Sequence, residues 1–305
     1  MAELNWSDAQ WQQVNDTVTE AFGKATVASV LLPCYGPLPA SAEYVRKEEL
    51  KFPEDQTVTV EDDETLKLFN LRVFVKLSNE QVCDQSLSSA LLAFRRAANV
   101  LALAEDDIVF NGYGEDRDDA HKVLPSLSKK LPNQAIVASF PDRLVGLVHA
   151  GDEKTAEQIK SQITVRRGAV KPAQEMKILQ KKGLDLVTNV ASAVAELEKA
   201  NHPGPFACIL GHDLFVAAHT PTEGLVLPAD RIKDILGGPL LRSGQMGSDF
   251  GVVVSQAGGD IDLVVATPPK VQFLQIDSDA KYIFRVYEKF ILRIKDATAV
   301  RGVSA

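Results

Sequence analysis

The chain predicts an α+β fold, and three observations carry that reading. Two long stretches, 86–104 and 184–200, keep apolar residues at helical spacing. From 246 onward, short alternating apolar runs sit between turn signals, the pattern of strands. Helices and strands are thereby partly segregated, unlike the regular alternation of a βαβ repeat. At 305 residues the chain can bury about 75% of its unfolded surface, so neither disulfides nor metals are needed to hold it.

Taken in order, the elements begin with a well-signalled helix. Ser7 reads as an N-cap with Gln10 at N3, a capping box, and Trp6 and Trp11 flank it as a hydrophobic staple. Trp11, Val14, Val18, Phe22 and Ala25 then share one stripe, with Gln12, Gln13, Asp16 and Glu20 opposite. Residues 26–38 run apolar into Tyr35-Gly36-Pro37-Leu38-Pro39, a turn or extended segment. The stretch 43–63 is polar, with β-prone Thr57-Val58-Thr59-Val60 inside it. Between 66 and 77 apolar residues alternate in two phases: Leu66 and Leu68, then Leu71, Val73, Val75 and Leu77. Such a phase change marks a bend or bulge. Together these segments predict a two-stranded arm with a charged tip. An isolated arm buries too little to be stable and needs a neighbouring domain or subunit.

The helix at 86–104 places Leu87, Leu91, Phe94, Ala98 and Leu101 on one face. It is expected to end at Glu105-Asp106-Asp107, with Ile108-Val109-Phe110 as a short strand before Gly112. Residues 114–182 mix charged, Pro-broken and short apolar pieces. The second helix is expected from Leu184 to about Ala200, with Leu184, Val187, Ala191, Val194 and Leu197 inward and His202-Pro203-Gly204-Pro205 as its stop. Residues 206–210 read as a buried strand, and Asp213 as the cap of a short helix. Strands follow at 250–254, 261–266, 271–276 and 282–295, with Gly258-Gly259-Asp260 as a hairpin turn.

Composition narrows the function. Lys and Arg number 33 against 41 Asp and Glu, a net charge of −8, which repels phosphate backbones; no nucleic-acid partner is expected, although the total leaves a local basic patch open. Cys34, Cys83 and Cys208 are few, scattered and set among apolar neighbours, which predicts buried free thiols in a reducing compartment. No secretory or membrane-spanning pattern is present, so a soluble cytoplasmic protein without a membrane partner is expected. There is no Gly-rich dinucleotide loop, Walker loop, His-Glu-x-x-His or Gly-x-Ser-x-Gly. His212 and His219 are seven apart, which fits no common metal pattern and reads as structural or solvated histidine. The acidic runs Glu61-Asp62-Asp63-Glu64, Glu105-Asp106-Asp107 and Glu115-Asp116 read as solvated faces or helix ends. No catalytic residue, metal site or cofactor is expected. What rises above background is an amphipathic terminal helix, a projecting arm, a spine helix and a β-rich end, the parts of an assembly protein.

In that order, several short motifs resemble the encapsulins, the prokaryotic nanocompartment shell proteins of linocin type with the HK97-type fold of tailed-phage capsids. They are Trp11-Gln12-Gln13-Val14-Asn15, Tyr35-Gly36-Pro37-Leu38, Glu105-Asp106-Asp107-Ile108-Val109-Phe110-Asn111-Gly112, Gly204-Pro205-Phe206, and Asp249-Phe250-Gly251 leading to Gly259-Asp260-Ile261-Asp262. Phe284-Arg285-Val286 and Ile291-Leu292-Arg293-Ile294-Lys295 complete the set. Residues 114–175 match poorly and read as an insertion or divergent loops.

The resemblance implies an organisation. Residues 1–42 become the N-terminal helix and arm, 43–80 the E-loop that overlaps an adjacent subunit, 81–182 and 246–305 the two parts of a peripheral domain, and 183–245 an axial domain at symmetry axes. It implies a self-assembling icosahedral cage around a cargo enzyme held by a short targeting peptide. Cargo docking then falls to Trp11, Val14, Val18, Leu31 and Leu32. A pore lining falls to His219, Thr220, Thr222, Glu223 and Gly224, with Glu223 favouring cations. Val30-Leu31-Leu32-Pro33-Cys34 departs from the Arg and acid that many relatives carry there, which implies a more apolar groove. No aromatic suited to a flavin stands out. The alternative on the same fold is a phage major capsid protein, for which DNA packaging favours a positive inner face. An enzyme is the third class, and no nucleophile–base pair in the local sequence supports it.

Overall fold

Sequence and architecture meet in a computed structural model that describes residues 4–51, 58–113, 136–139, 144–150, 172–222, 226–257 and 259–305. The amphipathic start forms α1 (Asp8–Ala25), followed by a single turn, α2 (Ala28–Leu31), and a two-residue strand, β1 (Cys34–Tyr35). Four short strands build the arm: β2 (Tyr44–Arg46), β3 (Glu49–Lys51), β4 (Thr59–Glu61) and β5 (Thr65–Lys67). Among the described residues they form two small sheets of their own, β2 with β5 and β3 with β4, both antiparallel. The expected phase change is a break: β5 ends at Lys67, Leu68 donates its N–H to Glu43 O at 2.8 Å, and β6 (Phe69–Leu77) starts in the new phase. Phe69, Leu71, Val73, Val75 and Leu77 are all buried, one face of a strand with period two.

After α3 (Asn79–Cys83) comes the spine helix α4 (Ser88–Asn111), 24 residues long. It does not stop at the acids. Glu105, Asp106 and Asp107 lie inside the helix at 1%, 1% and 0% exposure, and Ile108-Val109-Phe110 form its last turn instead of a strand. A short apolar run cannot distinguish strand from buried helix, and burial on every side of this turn erased the amphipathic signal. Gly112 ends α4 at φ +70°, where a Cβ would lie 2.4 Å from Leu144 O. Only glycine lets the backbone pass that close.

β7 (Ile136–Ser139) and a turn of helix, α5 (Leu147–Ala150), precede the second long helix, α6 (Pro172–Lys199). α6 starts well before Leu184, and its buried stripe is Leu186, Val187, Val190, Ala193, Val194 and Leu197. Leu184 is 45% exposed and Ala191 half-buried, so the face is shifted toward Leu186, Val190 and Ala193, while Val187, Val194 and Leu197 are buried as expected. β8 (Phe206–Leu210) is wholly buried, as expected. α7 (His212–Ala218) is capped at Gly211 without a side-chain bond, so Asp213 sits in the first turn and is not the cap. α8 (Pro228–Leu236) and β9 (Leu240–Arg242) follow.

The β-rich end divides between two sheets. β10 (Phe250–Ser255) pairs with β8 and with a final strand, β13 (Val300–Ser304), which follows a 3-10 turn at Ala297–Ala299. β11 (Ile261–Ile276) pairs with β12 (Tyr282–Ile294). The hairpin expected at Gly258-Gly259-Asp260 is therefore not one: β10 and β11 belong to different sheets, Gly259 turns the chain at φ +67°, and Gly258 lies outside the described residues. β11 runs through Pro268-Pro269 with register shifts on both sides of Thr267, which is where a strand tolerates proline.

The larger sheet has the order β1-β11-β12-β6-β7 and the smaller β13-β10-β8-β9. α1, α2 and α4 cover the larger sheet around one core that includes Phe69, Phe94, Phe110, Phe284 and Phe290. A second core joins α6, α7 and α8 to the smaller sheet and draws in Val253 and Val303 from the chain's last strands. Cys208 is buried, but Cys34 and Cys83 are exposed, which corrects the expectation of three buried thiols.

Candidate assembly and docking surfaces

The N-terminal helix is fastened at three places. Its capping box is formed as the sequence predicts, with Ser7 and Gln10 bonding reciprocally. Trp6 Nε1 donates to Val82 O at 2.9 Å, and its ring stacks on Phe284 at 5.0 Å and meets Trp11 edge-on at 5.1 Å. Midway, Val271 N donates to Asn15 Oδ1 at 3.2 Å, tying α1 to β11. At the far end the chain turns into α2, whose N-cap position is Val27, a residue with no side-chain acceptor. Asp106 of α4 supplies the cap from outside: it accepts from Val27 N at 3.0 Å and Ala28 N at 2.8 Å. Glu105 accepts from Thr26 Oγ1 at 2.6 Å and Ser29 Oγ at 3.0 Å.

These acids are not the solvated helix end that the run predicts. Burial pushes the Glu105 carboxyl up to about 7, against the hydrogen bonds from Thr26 and Ser29. Burial likewise raises Asp106 to about 6, opposed by its backbone donors. Glu288 on β12 is pushed well up, first by burial and then by the charges of Glu105 and Asp106, and its Oε1 has no hydrogen-bond partner among the described residues. A charged carboxylate in that place has nothing to solvate it. The group is a proton-retaining carboxyl layer under the α1–α2 turn.

The arm is built differently. Lys47 bonds Glu49 and Glu64, Lys51 bonds Glu49, and Arg46 bonds Asp62, all on exposed or half-exposed side chains. Val58 and Val60 are 64% and 57% exposed. Its base is pinned to the body by Glu48, which accepts from Arg293 at 2.8 Å while Arg293 also holds Asp262 at 2.6 Å. Leu50 N donates to Lys295 O at 2.9 Å. Between arm and body lies a cleft of about 1180 Å³ whose walls include Lys47, Leu66, His149 and Thr298. His202 is buried between Asp260 at 3.1 Å and Thr298 at 2.8 Å, a structural clamp between the residue before β11 and the 3-10 turn that precedes β13.

The residues expected at functional surfaces are scattered by these facts. Trp11 is partly buried against the core, and Val14, Val18, Leu31 and Leu32 are 0%, 0%, 2% and 5% exposed. A single apolar stripe on a helix is consumed by the domain it packs on, so these four side chains support a surface without forming it. His219 is exposed, with its Nδ1 2.9 Å from Phe215 O and its ring 4.2 Å from the Phe215 ring. Thr220 is buried and donates to Val216 O, and Thr222 is half-buried and donates to Val226 O. Glu223 and Gly224 lie outside the described residues. The sequence reading missed Thr26, Ser29, Asp106, Glu288 and Arg293 as positioning residues; an acid run and an inward-facing glutamate in a strand give no local sign of their partners. Among the described residues no cluster of histidine, cysteine and acids is placed to hold a metal, and no helix is long and apolar enough to cross a membrane.

A two-sheet body with a spine helix and a projecting arm is the HK97-type fold of capsid and encapsulin shells. The virus-like particle of Pyrococcus furiosus superposes with a TM-score of 0.64 at 13% identity, over 96% of this chain and 99% of that one. The capsid of Myoviridae phage XM1 gives 0.53 at 14% identity over 90% and 89%, and the SrpI encapsulin of Synechococcus elongatus PCC 7942 gives 0.51 at 11% over 100% and 91%. In sequence, the type 1 encapsulin shell protein EncA of Myxococcus xanthus (strain DK1622) is 22% identical over 306 aligned positions, covering 98% of this chain and 93% of that protein. The family model for linocin, described as an encapsulating protein for peroxidase, matches residues 3–119 and 166–291. The chain belongs to that family, and it is an encapsulin-type shell protein.

Proposed function

We propose that this chain is the protomer of a closed icosahedral nanocompartment in the cytoplasm, which encloses an enzyme and performs no catalysis itself. The observation that carries the reading is the arm: its described strands pair with one another, Val58 and Val60 stand exposed, and its ties to the body run through Glu48 and Leu50 at the base, in a chain whose family encloses other proteins. Residues 43–80 serve as the overlapping arm, 81–182 and 246–305 as the peripheral domain, and 183–245 as the axial domain. A cargo enzyme docks by a short peptide beside α1 in the 1–42 segment. Trp11 is its contact, with Val14, Val18, Leu31 and Leu32 holding the floor from beneath. The loop 219–224 lines a pore through His219, Thr222, Glu223 and Gly224, with Thr220 setting its shape from behind. No cofactor, nucleic acid or membrane takes part.

The test is to purify the protein from its native cells and treat it with protease. A second protein that co-purifies and survives digestion until the particles are opened supports enclosure. Trp11→Ala is expected to leave particles intact and reduce that protein's yield. Particles that are empty from native cells, or a co-purifying protein that is digested at once, contradict it.

A further inference from the structure

The outer face of the larger sheet is unlike the rest of this acidic molecule. On β6 and β12, residues flanked by buried neighbours point outward, Arg72, Phe74 and Lys76 on β6 and Arg285 and Tyr287 on β12, and Lys270 of β11 is exposed beside buried Val271. The registers place them side by side, with Arg72 opposite Tyr287, Phe74 opposite Arg285, and Lys270 opposite Tyr287. Arg72 and Arg285 are thus diagonal neighbours across one strand pair. Among the described residues neither has a carboxylate partner: Arg72 donates to Asn70 Oδ1 at 3.0 Å, and Arg285 donates to Gln272 Oε1 and lies 4.7 Å from the Tyr287 ring. Burial and the charge of Arg285 together push the Arg72 guanidinium down from its ordinary value. Lys76 reaches Asp277 at 3.4 Å on the rim. Amid these cations Phe74 is 39% exposed.

The matching surface is on the same chain but out of its own reach. Between residues 43 and 67 there are nine acids and four bases, so more than half of the net −8 resides in the arm. β4 and the turn after it present Glu61, Asp62, Asp63 and Glu64 beside exposed Val58 and Val60. The arm's own base is held at the other end of β12, by Arg293 and Lys295, whereas the basic face spans the half of β12 around Arg285 and Tyr287.

We propose that this basic face is the seat of the acidic arm of a second copy of the chain, with Phe74 meeting the arm's valines and Arg72 and Arg285 meeting its acids. The inference rests on the shell reading and adds to it the receiving surface and the charge matching. Opposed charges of this kind set register and partner choice. Because the contact is superficial, 1 M salt, with a screening length of about 3 Å, weakens it.

The experiment compares three chains by light scattering and electron microscopy at low salt, with circular dichroism melts to show that each protomer is folded. The wild type forms particles. R72E/R285E is expected to lose them while melting as a folded protein, and adding E61K/D63K to the same chain is expected to restore them. Particle formation by R72E/R285E at the wild-type level overturns the proposal, as does failure of the four-fold swap to restore assembly. Particles that persist but shed bound nucleic acid overturn it in favour of a polyanion face. A wild type that forms no particles refutes the shell reading itself.

Discussion

Two runs of acidic residues in this chain look alike on paper and live opposite lives. Glu61-Asp62-Asp63-Glu64 sits on the arm, exposed, with Lys47 and Arg46 as partial partners. Glu105-Asp106-Asp107 sits inside the spine helix at no more than 1% exposure, under the α1–α2 turn. The first run is cheap to keep charged and useful to another molecule. The second is costly to keep charged and useful only to its own fold, where Asp106 caps a helix that cannot cap itself. What separates them is the element on which they fall, an exposed strand end and turn in the first case and a buried helix in the second, not their composition.

The largest effect expected is at the staple, at the opposite end of α1 from the turn that the buried run supports. Trp6→Ala removes a ring stacked on Phe284 and should cost about 3–5 kcal/mol in denaturant unfolding. Asp106→Ala comes next. It strands the N–H groups of Val27 and Ala28, at about 1–3 kcal/mol for each buried donor left unmet, partly offset by removing a buried charge. Asp106→Asn, which keeps an acceptor, should cost less.

The pH dependence follows from the same layer. Glu105 and Asp106 have folded values raised to about 7 and about 6, so the folded state holds protons that the unfolded chain has lost. Their contribution is fully present below about pH 4 and is lost as pH rises through 6 to 7, at about 1.4 kcal/mol per pH unit for each proton involved. Glu288→Gln replaces a buried carboxyl that keeps its proton in the fold and loses it in the unfolded chain; melts are expected to show it stabilised relative to wild type at pH 8 and its slope between pH 5 and 7 reduced. An unchanged slope would show that Glu288 holds no extra proton in the folded state. The smallest effect belongs to the arm: Lys47→Ala, which loses only exposed ion pairs, should change protomer stability by less than about 1 kcal/mol.

Much of this was legible in the sequence. The capping box, the staple, the break before Phe69 and the period-two face of β6 follow from local rules and appear as expected. What was not legible depends on distant partners. Ile108-Val109-Phe110 became helix because Leu144 and neighbouring elements enclose it. β10 and β11 went to different sheets because β13, far along the chain, takes the edge that a hairpin would have used. The site was the least legible part. Val14, Val18, Leu31 and Leu32 carry an apolar signal that core packing and peptide docking share, and only their burial tells which uses the side chain. The basic sheet face is spread over three strands of an acidic protein, invisible to any total of charge.

The most direct test of the central account is the mass and shape of the recombinant protein in solution, by light scattering followed by electron microscopy. A uniform population of hollow particles in the megadalton range is the predicted result, and their diameter gives the number of subunits. A folded species of one or a few chains that stays so across salt and pH would contradict the account.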